Sequence, residues 1–206
     1  MRSFIFCLFL FATLMPARGE AVYFVSFAWI KPDHLGQYEA FLRSVNPIWQ
    51  RHKMKVLTRA KVVHVLAGDE QAQPPDEIAL IQAASMEDFR SYIADPDFQS
   101  IKQMREDSVD QMLVLEGYVR REPKYDFIKS LPKLAFVIES FSSAQETALI
   151  DIGITVRGTI KGQLSPPLSE SQFVTLYPLP LDDNPMSFLD ALSDGAQVYV
   201  VASHTQ

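Results

Sequence analysis

The four histidines, His34, His52, His64 and His204, are the side chains in this chain that change charge near neutral pH. His52 and His64 flank one β-rich stretch, and Asp69 and Glu70 follow it. Two imidazoles and two carboxylates can together ligate a divalent metal. No His-x-His, His-x-x-x-His or His-x-x-Glu spacing is present, so no metal is expected. His64 has a different use. Val62, Val63, Val65 and Leu66 surround it and mark a strand, one face of which is expected to line an interior. There an imidazole could transfer a proton. Asp69, Glu70, Asp76 and Glu77 are interrupted by Pro74 and Pro75 and lack the order of a calcium loop, so they read as a solvated connection. No Gly-rich phosphate loop and no Gly-x-Ser-x-Gly is present, and no cofactor is expected.

The elements that must position such residues follow from periodicity. Residues 22–30 (VYFVSFAWI) read as a strand. Lys31-Pro32-Asp33 is expected to open a helix, with Pro32 in its first turn and Asp33 near its positive end. Leu35, Tyr38, Leu42, Val45 and Trp49 recur at helical spacing and form one apolar stripe, and Pro47 is expected to kink that helix. Residues 55–66 read as a strand-pair segment, 68–77 as a polar surface loop, and 78–84 as a strand. Ser85 with Asp88 three residues on forms a capping box, and Phe89, Tyr92 and Ile93 make the inner face of the helix it opens. Asp95-Pro96 ends that helix and starts another. Residues 113–119 close the unit with a strand.

The order β-α-β-β-α-β then recurs in a shorter form. Residues 134–141 read as a strand, and a helix is expected within 144–160, although Gly153, Gly158 and Ile154-Thr155-Val156 suit one poorly. Strands are expected at 172–179 and 197–202, with a short helix capped by Asn184-Pro185 between them. Residues 120–133 carry Arg120, Arg121, Lys124, Lys129 and Lys133 and read as a linker. From Leu134 onward two basic residues stand against eight acidic ones, which suggests a surface largely covered by the first half.

The bulk composition bounds the function. The 206 residues are 48% hydrophobic and 21% charged, as in folded proteins. The net charge of -6 argues against a nucleic-acid or anionic-membrane partner. Residues 1–19 read as a signal peptide: Arg2 precedes an apolar run, Phe4 to Met15, followed by small residues at Ala17 and Gly19. Cleavage would leave Glu20 first, or Val22 after a cut at Ala21, remove Cys7, the one cysteine, and place the mature protein in the periplasm or outside the cell with no membrane segment; the alternative is an uncleaved anchor.

Several short motifs occur together in order: Leu57-Thr58-Arg59, Leu66-Ala67-Gly68-Asp69, Asp95-Pro96-Asp97-Phe98-Gln99, Arg105, and Leu113-Val114-Leu115-Glu116-Gly117. Between residues 22 and 119 this pattern resembles the DUF1330 family. The resemblance implies the ferredoxin-like dimeric α/β-barrel fold, in which two four-stranded sheets close face to face. The expected fold is therefore α+β: two tandem ferredoxin-like βαββαβ units, 20–119 and 134–206, forming a pseudo-dimeric α/β barrel as a monomer or a homodimer. The family pattern singles out Arg59, Arg105 and Glu116; Tyr92 stands first in the place of its aromatic-Tyr pair, whose second position is Ile93 here. If they converge, the guanidinium groups could bind a carboxylate, and a buried Glu116 could act as a base. Alternatively Arg105 and Glu116 form a structural ion pair. Some haem-degrading members of this superfamily use asparagine, tryptophan and histidine near the haem; here Asn46, Trp49 and His52 share one helix, a different arrangement.

The expected function is a small-molecule binder, with Arg59, Arg105 and Tyr92 at the ligand, which is apolar or carboxylate-bearing. The alternatives are a metal-independent monooxygenase-like or isomerase-like enzyme using His64 or Glu116, and a non-catalytic scaffold.

Overall fold

Strand-forming residues dominate the chain, and the computed structural model gathers them into one sheet. It describes residues 20–68, 73–121, 133–139, 150–160, 168–178 and 196–203. Eight strands, β1 (Val22–Ile30), β2 (Met54–Ala67), β3 (Glu77–Ala83), β4 (Val109–Arg121), β5 (Lys133–Glu139), β6 (Ile150–Ile160), β7 (Leu168–Pro178) and β8 (Gln197–Ser203), close into a barrel in the order β1-β3-β2-β8-β5-β7-β6-β4. All neighbours run antiparallel. Three helices, α1 (Leu35–Arg51), α2 (Met86–Ala94) and α3 (Pro96–Ser108), fall between the first four strands. The fold is thus mixed α+β with an antiparallel sheet. The strand order β4-β1-β3-β2 in the first half has the same form as β8-β5-β7-β6 in the second. The expected signal peptide, most of the expected linker, the expected helix after Asn184-Pro185, and Asp69, Glu70 and His204 lie outside the described residues.

Alternation along each strand sends one row of side chains inward. Phe27, Leu57, Leu80, Leu115, Phe136, Ile152, Val174 and Val201, one from each strand, belong to a single buried cluster that fills the barrel. Phe27 and Phe136 meet edge-to-face at 6.1 Å and so join β1 to β5 across it. The other row of β1 to β4 faces the helices, where Phe24, Ala28, Met54 and Ala83 pack against Tyr38, Phe41, Val45 and Ile48 of α1.

Several elements differ from the sequence reading. Residues 150–160 are a strand, not a helix: the run Ile154-Thr155-Val156 is β-branched, Ile154 and Thr155 pair with β7 and Ile154 also with β4, which overrides the position in the repeat. Residues 55–66 are one long strand, not a pair, and its breaks in pattern are bulges between Val56 and Thr58 and between Val62 and His64. Helix α1 begins after Pro32 and Asp33, because Asp33 adopts φ 64° in the preceding turn and His34 occupies the N-cap. Its buried face is Tyr38, Phe41, Val45 and Ile48, with Leu35 51% exposed, and it runs on through Pro47 as one helix. The capping box forms as read, with the Asp88 amide donating to Ser85 Oγ at 3.1 Å. Asp95 caps α3, accepting from the Asp97 amide at 2.8 Å.

Because the barrel core draws on every strand, Phe136→Ala is expected to lower stability by about 3–5 kcal/mol. It should also leave one cooperative transition, with Trp29 fluorescence and far-UV circular dichroism coincident in urea. A Trp29 transition that stays at its original midpoint while the circular dichroism signal shifts would show that the two halves do not share this core.

Candidate functional site

The strand bulges and the helix stripe create a cavity of about 190 Å³ between the outer face of β1–β4 and the three helices. It lies outside the barrel, whose lumen is filled by side chains. Most of its wall is apolar: Phe24, Phe41, Val56, Ile81, Phe89 and Met112. Phe24 and Phe89 stack at 4.1 Å.

Polar groups enter the cavity at a few points. The bulge after Val56 shifts the alternation of β2. Leu57 and Ala60 therefore both face the barrel core, while Val56 and Arg59 both face the helices. Arg59 Nε donates to Glu77 Oε2 at 2.6 Å, and the Tyr38 hydroxyl donates to Glu77 Oε1 at 2.9 Å. Glu77 is buried, so this network ties β2, β3 and α1 together at one end of the cavity. Burial pushes the Tyr38 phenol well above its usual range. The Glu77 charge and hydrogen bond add to that rise, and the Arg59 and Arg105 charges oppose it. Tyr38 is therefore a protonated donor.

Tyr92, Trp49 and Arg105 line the cavity from α2, α1 and α3. Burial pushes the Tyr92 phenol up to about 12, opposed by the adjacent Trp49 indole N–H and the Arg105 charge. The indole N–H is close enough to act on Tyr92 but falls outside hydrogen-bond geometry, and it is buried without a partner. Arg105 differs from Arg59. No hydrogen bond from a described residue engages its guanidinium; Glu106 is 3.9 Å away and itself 3.2 Å from Lys102, and the Phe98 ring lies 5.7 Å beneath. Its side chain is 23% exposed.

The helix layer is fastened beside this wall. Asp95 Oδ2 accepts from Arg51 at 2.7 Å and pairs with His52 at 2.6 Å, while Oδ1 caps α3. One carboxylate thus joins the end of α1 to the α2–α3 junction. His52 and Arg51 hold the Asp95 carboxyl well below the usual carboxylate range.

Of the residues singled out in the sequence, Arg59, Arg105 and Tyr92 meet in the cavity wall, and His64 and Glu116 do not. His64 was expected to face the interior. The bulge between Val62 and His64 instead leaves Val62 and Val65 packed on the core and turns His64 out to solvent. Glu116 lies opposite Phe24 in the register but is exposed, so the burial that would make it a base is lacking. The alternative ion pair between Arg105 and Glu116 is not formed, since the acid nearest Arg105 is Glu106. Glu77 was read as part of a solvated loop, yet it opens β3 and is 4% exposed. Its parity with Ala79 and Ile81, outward from Ile78 and Leu80, was the available signal.

Residues 22–118 match the family described as "Domain of unknown function (DUF1330)". No curated protein matches the sequence. Among solved structures, a monooxygenase candidate from Fusobacterium nucleatum is 10% identical, covering 90% of this chain and 93% of that one with a TM-score of 0.51, which is a likeness of fold. A protein of unknown function from Rhodopseudomonas palustris is 19% identical, covering 48% of this chain and 82% of that one with a TM-score of 0.45.

The Asp95 clamp makes a pH prediction. A carboxyl whose folded pKa is depressed stabilises the fold above the ordinary aspartate value of about 3.9, and that contribution is lost as pH falls toward the folded value. Asp95→Asn is expected to melt at lower temperature than the parent at neutral pH, with the gap narrowing below about pH 4. Thermal melts across that range check it, and a gap that is constant with pH would contradict it.

Proposed function

We propose, from the premise that residues 22–118 belong to the DUF1330 family, that this is an exported protein which binds a small apolar or carboxylate-bearing molecule in the cavity between β1–β4 and the helices. The observation that carries this reading is the cavity itself. It is a space of about 190 Å³ with an aromatic and aliphatic wall, entered by cationic and phenolic groups at defined points. Such convergence of a few polar groups on an apolar concavity is the usual form of a ligand site. Arg59, Arg105 and Tyr92 are its ligand-facing polar groups.

In this reading the chain is two tandem ferredoxin-like units, 20–119 and 134–206, joined by a linker at 120–133 into a monomeric pseudo-dimer. The matching strand orders of the two halves support it, as do the pairings β2 with β8 and β4 with β6. Each closing pair joins the second strand of one half to the fourth-position strand of the other, as a two-fold axis would. Export is supported by the N-terminal sequence pattern. The enzyme reading with His64 or Glu116 as the proton-transfer group gains no support, because neither lines the cavity.

A thermal-shift screen of small apolar and carboxylate compounds tests the binding. A true ligand at about 100 times its Kd should raise the Tm by roughly 5–10 °C. Ala79→Phe, which places a ring in the cavity, should abolish that rise. No shift from any compound, or an equal shift in the variant, would contradict the site. N-terminal sequencing of protein recovered from the periplasm or medium is expected to begin at Glu20; retention in the cytoplasm with Met1 intact would contradict export.

A further inference from the structure

The two arginines of the cavity are not equivalent. Arg59 already has its counterion: Glu77 accepts from its Nε at 2.6 Å, and an anion placed there would also meet the Glu77 carboxylate. Arg105 retains an uncommitted guanidinium, with its nearest carboxylate oxygen 3.9 Å away on Glu106, a residue already paired with Lys102. An arginine fork with no acceptor beside an apolar cavity is suited to a bidentate carboxylate.

A second donor belongs to a residue of the same lining. Trp49 Nε1 is buried without an acceptor, although buried donors are almost always satisfied. Trp49 of α1, Tyr92 of α2 and Arg105 of α3 all line this cavity. Much of the remaining lining is aromatic. Phe24 and Phe89 stack there, with Phe41 beside them. The volume sets the size of the guest. An apolar cavity of roughly 150 Å³ holds one benzene ring. A cavity of about 190 Å³ has room for such a ring and a small polar substituent.

We propose that Arg105, assisted by the Trp49 indole N–H, is the anion-binding point of this cavity, and that its ligand is a monocyclic aromatic carboxylate. This rests on the cavity being a binding site, as proposed above. Arg59 holds Glu77 and Tyr38 in place and does not receive the anion. Tyr92 supplies a further donor to the carboxylate.

Benzoate, benzamide, hexanoate and toluene are the probes, titrated into the purified protein by calorimetry and followed by the fluorescence of Trp49. Benzoate is expected to bind at least tenfold more tightly than benzamide, which has its shape without its charge, and more tightly than hexanoate, which has its charge without a ring. Arg105→Gln should weaken benzoate about 10- to 100-fold, the loss of a charge-assisted bidentate contact, and leave benzamide unchanged. Trp49→Phe should weaken benzoate several-fold, read by calorimetry. Equal binding of benzoate and benzamide, or benzoate binding that survives Arg105→Gln, would overturn the assignment of Arg105 while leaving a binding cavity. Hexanoate as tight as benzoate would overturn the aromatic class. Binding of none of the four probes would remove the cavity reading itself, and this inference with it. If Arg105→Gln does not fold, the benzoate-to-benzamide ratio of the parent protein decides.

Discussion

Hydrogen bonding of β2 to β8 and of β4 to β6 leaves no free edge among the eight described strands, and the closed sheet must then fill its own interior. It does so with apolar side chains from every strand. A filled lumen moves any ligand chemistry to the outside of the sheet. Room exists there because helices cover β1–β4 without packing flush against all of it. Closure thus has two consequences, one for stability and one for function. It gives both halves a shared core, and it makes the helix-facing row of each strand the place where a site can form.

Within that frame two carboxylates fasten the elements around the site. Glu77, buried at the start of β3, gathers Arg59 and Tyr38 and so fixes sheet to helix. Asp95, at the α2–α3 junction, gathers Arg51 and His52 and fixes helix to helix. The cavity lining also holds Trp49, whose indole N–H has no acceptor, and Arg105, whose nearest carboxylate oxygen is 3.9 Å away. Satisfied carboxylate networks beside an under-satisfied lining are the arrangement expected where a ligand completes the bonding.

Much of this was legible in the sequence, and the failures have physical causes. The β-branched and aromatic runs at 22–30 and 197–203 named their strands, and Ser85 and Asp95-Pro96 named their helix starts. The DUF1330 pattern brought Arg59, Arg105 and Glu116 forward; the two arginines line the cavity, with Tyr92, and Glu116 does not. The strand at 150–160 was hidden by its glycines and by the expectation of a repeat, whereas cross-strand pairing settled its form. His64 was misplaced because a strand pattern read with strict period two cannot see a bulge, and one extra residue reverses every side chain beyond it. Glu77 was obscured by a proline-rich, acidic neighbourhood, since composition describes the loop and not the strand that follows it. Trp49 belongs to the apolar stripe of the sequence and packs partly buried against the helix–sheet core, but its unpaired N–H has no local signature.

The central claim is that the space available to a guest lies between β1–β4 and the helices and not within the barrel. Diffraction from a crystal of the protein pressurised with xenon tests it most directly, since xenon enters dry apolar cavities without a specific contact. The account predicts xenon density among Phe24, Phe41 and Phe89 and none among Phe27, Leu57 and Phe136. Density inside the barrel, or an empty helix–sheet layer, would contradict it.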